Sequence, residues 1–275
     1  MNLDLENKVV IVTGGSGGIG RGLVLAFAAE GAAVVIATRD ASKALEVAQA
    51  ANAGPGRAIV IPTDVTDRAA VTNLLAQTQS EVGPVDVLVN NAGGVAYPRP
   101  TLEKPLSEVK WELDLNIWGV IHCTEVIGRS LVDRGCGAIV NITSNSALSA
   151  AAANQVVHYG GAKGFVMSFS KGLAYEWGPL GVRINCIAPG WIVPWEEDHV
   201  GDGSFWKKYG YDFFGTPSEM EAKAEAGQLF NASLQPIARI GRPEDIANLA
   251  LFLASEKAAH VTGQLVSVSG GAWMP

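Results

Sequence analysis

A chain of 275 residues sits near the upper size at which one hydrophobic core still serves a single domain. With 48% hydrophobic and 17% charged residues and a formal net charge of −7, it is too apolar for a disordered chain and too interrupted by charge for a string of membrane spans. It is also too acidic to have nucleic acid as its main partner. Cys123, Cys136 and Cys186 stand far apart with no CxxC pair, which argues against a disulfide framework and a zinc site. Residues 1–8 lack the basic start and apolar core of an export signal, so the expected location is cytoplasmic, with no membrane partner.

From Lys8 onward, short β-branched runs alternate with longer amphipathic stretches. KVVIVTGG, AAVVIATRD, RAIVIPTDV, PVDVLVNNAG, GAIVNITSNSA, VRINCIAPG and QLVSVSGG read as strands. Between them, IGRGLVLAFAAEG, SKALEVAQAAN, Asp67 to Val82, Leu106 to Asp133, Gly160 to Trp177 and Pro243 to Ala254 read as helices. The strands are nearly continuous in Val and Ile, which means that both of their faces are covered, as in a parallel sheet. The expected architecture is one α/β domain over residues 1–275: a doubly wound, Rossmann-like parallel sheet of about seven strands with helices on both faces. Residues 191–235 break the rhythm with Trp191, Trp195, Phe205, Trp206, Tyr209, Tyr211, Phe213 and Phe214. A loop of that length within a domain reads as a lid over a small-molecule substrate, with an aromatic satellite cluster or an oligomer contact as the alternative.

The first strand runs through Gly14, Gly15, Ser16, Gly17, Gly18, Ile19 and Gly20 directly into a helix. Glycine lets the backbone turn tightly and approach a pyrophosphate, whose charge then meets free N–H groups at the positive end of the helix. Strand before and helix after is the setting of a dinucleotide site. The second strand ends in Ala37, Thr38, Arg39 and Asp40. With Thr38 where an acid would meet the ribose of NAD, and Arg39 able to fork a phosphate, the expected cofactor is NADP. NAD is the fallback, since Asp40, one residue later, could reach the hydroxyls instead and Arg39 could stack on adenine.

Tyr159 and Lys163 frame YGGAK, Ser144 closes a strand, Asn116 lies within a long helix, and Asn90, Asn91, Ala92 and Gly93 follow another strand. Together with the glycine turn, these residues give a chain that resembles the classical short-chain dehydrogenases/reductases over essentially its whole length. The resemblance implies catalysis by Asn116, Ser144, Tyr159 and Lys163. It implies an adenine contact at Asp64 beside Val65, and a cofactor wall from Asn91, Ala92 and Gly93. It places the turn of Pro189, Gly190 and Ile192 by the nicotinamide, and it implies a homotetramer built through the long helices and the last strand. The family's usual Thr after that turn falls at Pro194. Ser144 is preferred as the catalytic serine by strand register, and Ser146 fits the family's spacing to Tyr159.

The roles also follow from the residues. Tyr159 and Lys163 are four apart on one helical face, and an ammonium there favours the phenolate. Moving a phenol from ~10 to ~7 takes about 4 kcal/mol. A cation about 4 Å away at an effective dielectric of ~20 supplies about that much. The four histidines are scattered and no metal is expected. The expected activity is hydride transfer between NADP(H) and a bulky apolar or cyclic secondary alcohol or ketone. The alternatives are a 3-oxoacyl or hydroxyacyl thioester substrate and a nucleotide-sensing regulator without chemistry.

Overall fold

A computed structural model describes residues 2–201, 204–228 and 235–274. β1 (Val9–Thr13) feeds α1 (Gly18–Ala29), followed by β2 (Ala33–Thr38), α2 (Ala41–Ala51), β3 (Arg57–Pro62), α3 (Arg68–Glu81) and β4 (Val87–Asn90). α4 (Leu106–Leu113) and α5 (Gly119–Arg134) then precede β5 (Gly137–Ile142), α6 (Val157–Trp177) and β6 (Val182–Pro189). α7 (Tyr211–Phe214), α8 (Pro217–Glu225), α9 (Pro243–Ala254) and β7 (Leu265–Val268) complete the chain.

The seven strands form one sheet in the order β3-β2-β1-β4-β5-β6-β7, with every neighbouring pair parallel. Alternation along β1 explains why the run is apolar throughout. Val10 and Val12 pack on one face with Leu23 and Phe27 of α1 and Ile246 of α9, while Val9 and Ile11 pack on the other with Leu74 of α3 and Ile127 and Leu131 of α5. The chain winds outward from β1 to β3 and returns to β4 on the other side of β1. This reversal opens a crevice beyond the carboxyl ends of β1 and β4.

Two helices differ from the sequence expectation. Leu106 to Asp133 is not one regular helix, because Asp114–Trp118 forms a π-helical turn between α4 and α5. The Asn116 side chain donates to the backbone carbonyl of Glu112 at 2.9 Å, inserting itself into the helix's own hydrogen-bond ladder. α6 begins at Val157, three residues before the glycine pair that reads as its start. Gly160 fits inside the helix because it presses against the carbonyl of Ser146, where an added Cβ would stand 2.6 Å from the oxygen. Packing thus overrides the low helix propensity of glycine.

Of the aromatic segment 191–235, residues 202–203 and 229–234 lie outside the described residues. In the remainder, Val193, Met220, Ala224 and Ile240 make a small core of their own, against which Trp191, Trp206, Tyr211 and Phe214 pack. α8 is capped by Thr216 and Glu219 in a reciprocal box.

Candidate active site

The crevice is a cavity of about 540 Å³. At one end the glycine turn supplies its floor. Gly14 and Gly18 have φ of 65° and 53°, in the left-handed region. An added Cβ on Gly20 would stand 2.1 Å from the carbonyl of Gly14, so the turn closes only without side chains. Ser16, Gly17 and Ile19 line the same end. The Ser16 hydroxyl lies 3.1 Å from that of Thr38 at the tip of β2.

Arg39 is exposed and lines this end of the cavity. Asp40 is committed elsewhere: its carboxylate accepts from Ser42 Oγ at 2.8 Å and from the Lys43 amide at 3.3 Å, capping α2. Burial pushes the Asp64 carboxyl up, but hydrogen bonds from Thr66 and the Arg39 charge outweigh it and hold the group below its ordinary value. Val65 lines the wall beside Asp64.

Asn91, Ala92 and Gly93 leave β4 along the middle of the cavity. The Asn91 amide group donates to the carbonyls of Thr13 and Gly14, and the Thr13 hydroxyl accepts from the backbone of Asn91 and Ala92. This stitches β4 to the glycine turn. Pro189, Gly190 and Ile192 follow β6 along the far wall, where Ile192 bridges to Gly241. Pro194 also lines the cavity.

At the other end Tyr159 and Lys163 project from α6 beside Ser144 at the tip of β5. Burial raises the Tyr159 phenol above its ordinary value, a hydrogen bond with Ser144 pulls it back, and the negative charge of Glu112 pushes it up again. The ammonium therefore does not dominate the phenol as the spacing alone suggests. Lys163 Nζ sits 5.7 Å from the tyrosine ring centre and donates to the carbonyl of Ile142 at 2.9 Å. Burial lowers Lys163 itself to about 8. The two candidate serines separate here. Ser144 pulls the Tyr159 phenol down, and its Oγ accepts from the Ser146 amide at 3.1 Å, whereas the Ser146 hydroxyl donates to the carbonyl of Ala152 at 2.9 Å.

Asn116 lies behind the wall rather than on it, fully buried, with its side chain bonded in both directions to Gly94. An added Cβ on Gly93 would stand 2.8 Å from Asn116 Oδ1 and 3.0 Å from Lys163 Nζ, so both side chains press on the same glycine. Trp111 and Leu115, which stand against Gly94, and the packed group of Trp191, Phe205 and Trp206 give the cavity an apolar and largely aromatic part of its lining. Among the described residues there is no cluster of side chains that could hold a metal.

Residues 8–195 match the family profile described as short chain dehydrogenase. The chain belongs to the short-chain dehydrogenase family. Residues 214–272 match a profile described as enoyl-(acyl carrier protein) reductase, a stretch that contains neither Tyr159 nor Lys163. The (2S)-[(R)-hydroxy(phenyl)methyl]succinyl-CoA dehydrogenase subunit BbsD of Thauera aromatica is 34% identical over 98% of each chain. A short-chain type dehydrogenase/reductase from Mycobacterium marinum has a similar solved structure, with TM-score 0.83, 32% identity and coverage of 99% of this chain and 98% of that one. A 7α-hydroxysteroid dehydrogenase complexed with NADH and 7-oxo glycochenodeoxycholic acid superposes with TM-score 0.82 at 32% identity, over 98% and 96% of the two chains. This short-chain dehydrogenase is thus an oxidoreductase of a family that uses nicotinamide dinucleotides.

Several residues at the site carry no sequence motif. Val200 is buried against the glycine turn, and an added Cβ on Gly17 would stand 2.8 Å from its Cα. Glu112 and Lys104 form a buried ion pair behind Asn116. The one signal for Glu112 is that a carboxylate falls on the stripe of α4 and α5 that otherwise reads Val109, Asn116, Val120, Cys123 and Ile127.

Proposed function

We propose that this short-chain dehydrogenase interconverts a secondary alcohol and a ketone, with NADP(H) as the preferred dinucleotide and Tyr159, Ser144, Lys163 and Asn116 as the catalytic set. The observation that carries the reading is that Tyr159, Lys163 and Ser144 line one end of the cavity whose other end holds the glycine turn and Arg39. β2 and β5 are three positions apart in the sheet, about 14 Å at the usual strand spacing, a span suited to an extended dinucleotide. The side-chain-free turn at Gly14, Gly18 and Gly20 suits the pyrophosphate, with Asp64, Val65, Asn91, Ala92, Gly93, Pro189, Gly190 and Ile192 along the remainder of its length. Arg39 is available to a 2′-phosphate, while Asp40 is spent on its helix, which favours NADP over NAD.

A bound nicotinamide ring supplies or accepts the hydride. In reduction, Tyr159 gives its phenolic proton to the substrate oxygen, which takes a second hydrogen bond from Ser144; burial keeps the phenol protonated for this purpose. In oxidation, Tyr159 must first lose that proton, and Lys163, when charged, favours the phenolate. Lys163 passes the proton onward through a water that Asn116 helps to hold, the two side chains lying together at Gly93. Residues 191–235 serve as the lid, and the aromatic lining to which they contribute Trp191, Phe205 and Trp206 suits a bulky apolar or cyclic substrate. A thioester substrate is the second reading, favoured by the name of the Thauera relative.

The test is oxidation of NADPH by the purified protein across cyclic, aromatic, steroid and acyl-thioester ketones. Turnover of one class is expected. Tyr159→Phe is expected to lower it at least ~100-fold with NADPH binding unchanged, and Arg39→Ala to weaken NADPH binding by about 10- to 100-fold while sparing NADH. Tight binding of NADPH without turnover in either direction favours a nucleotide-sensing regulator instead.

A further inference from the structure

Glu112 and Lys104 meet with Nζ 2.8 Å from Oε1, their side chains 0% and 1% exposed. Removing two charges from water is costly, and an apolar pair of the same volume usually packs as well or better, so the pair points to a role other than packing. The Glu112 carboxylate accepts from the amide of Ala96 at 2.8 Å, and its backbone carbonyl accepts from Asn116 Nδ2 at 2.9 Å. Asn116 holds Gly94 from the other side, accepting from its amide at 3.2 Å and donating to its carbonyl at 2.7 Å. One residue therefore fixes both the 94–96 segment, which lines the cavity through Gly94 and Val95, and the asparagine that presses with Lys163 on Gly93.

Glu112 Oε2 is buried with no hydrogen-bond partner among the described residues. Its charge reaches Tyr159, pushing the phenol up. Glu112 on α4 is the charge that bears on the Tyr159 phenol, Lys163 Nζ on the same helix as Tyr159 stands 5.7 Å from its ring centre, and Lys104 meets the same Glu112 carboxylate; Cys186 of β6 in turn bears on Lys163.

We propose that Glu112 is a positioning residue for the reaction: paired with Lys104, it fixes Asn116 and the 94–96 segment against Lys163, and so holds the surroundings in which Tyr159 exchanges its proton. The inference rests on Tyr159 as the proton donor, and its test does not require a substrate.

The test is ultraviolet difference titration of Tyr159, isolated by subtracting Tyr159→Phe, in the wild type, Glu112→Gln, Lys104→Gln and the double variant. Loss of the carboxylate leaves the Lys104 cation unopposed, so Tyr159 is expected to ionise at lower pH in Glu112→Gln. Loss of the cation leaves the carboxylate unopposed, and ionisation moves to higher pH in Lys104→Gln. The double variant, losing both charges together, returns toward the wild type, and Lys104→Arg matches it. One shared midpoint across all variants, with only a lower Tm, overturns the proposal. Where Glu112→Gln does not fold, the contrast between Lys104→Gln and Lys104→Arg decides. With a substrate from the ketone panel, Glu112→Gln is expected to lower kcat on the order of 10- to 100-fold with KM unchanged. A panel without turnover counts against the proposed reaction and leaves the titration readable.

Discussion

Lys163 holds the sharpest conflict between stability and chemistry. Its side chain is buried, with Nζ on the Ile142 carbonyl, and burial lowers it to about 8. In the unfolded chain the same amine stays protonated up to its ordinary value near ~10.4. Between those two values the unfolded state binds more protons, so folding stability rises with pH through that window, and below about 8 the full penalty applies. The penalty amounts to about 3 kcal/mol at neutral pH. Lys163→Met removes that penalty but leaves the Ile142 carbonyl unpaired, so its stability relative to the wild type is expected to be about 3 kcal/mol more favourable at neutral pH than near the upper end of the window, while turnover is lost. Denaturant melts at the two pH values check it, and equal gains at both would show that burial of the charge is not the cause. Tyr159 and Lys163 were legible because helical spacing fixes which residues share a face. The local electrostatics were not, because Glu112 and Ser144 reach Tyr159 from elements distant in sequence.

At the scale of elements, Arg242 ties three pieces together at the start of α9. Its guanidinium donates to the Pro194 carbonyl at 3.0 Å, pairs with Glu221 of α8 at 2.9 Å and lies 4.0 Å over the Trp195 ring. Trp195 in turn donates to Glu244 at 3.1 Å. The aromatic segment is thereby fastened where it leaves β6 and again at its helix. Pro194 is buried, so Arg242→Ala leaves its carbonyl unpaired and is expected to cost about 1–3 kcal/mol. Because the loss falls on the segment above the cavity, substrate KM is expected to rise more than kcat falls, which steady-state kinetics beside a thermal melt would check. A KM that does not move would place the segment outside substrate binding. The strands were legible because helices on both faces demand unbroken Val and Ile, as in β1 and β2. The π turn at Asp114–Trp118 was not, because it depends on where Asn116 finds its partners rather than on the apolar period.

For the whole molecule, the helices on one side of the sheet leave aromatic surface uncovered. Trp118 is 52% and Tyr175 90% exposed, and Phe165 stacks on Phe169 at 5.5 Å along α6. Such a patch suits contact between copies, and we propose the homotetramer that the family resemblance implies, built through α5, α6 and the strand around β7. Light scattering is expected to give a tetramer that Phe165→Glu with Tyr175→Glu dissociates; a monomer in the unmodified protein would refute it. The doubly wound topology was legible from the alternation of runs alone, since parallel neighbours need helical crossovers. Among the described residues no helix is long and apolar enough to cross a membrane.

Val200 and Trp206 are six residues apart in one segment, the first against the glycine turn and the second lining the cavity while packed on Trp191, which follows β6. In the reaction we propose, this segment would lie as a flap against both ligands, and neither would exchange freely while it is closed. Kinetics follow from this arrangement: initial-rate plots intersect rather than run parallel, since both ligands must be enclosed together before reaction. Turnover at saturation then tracks how fast the flap lifts, and slows as solvent viscosity rises.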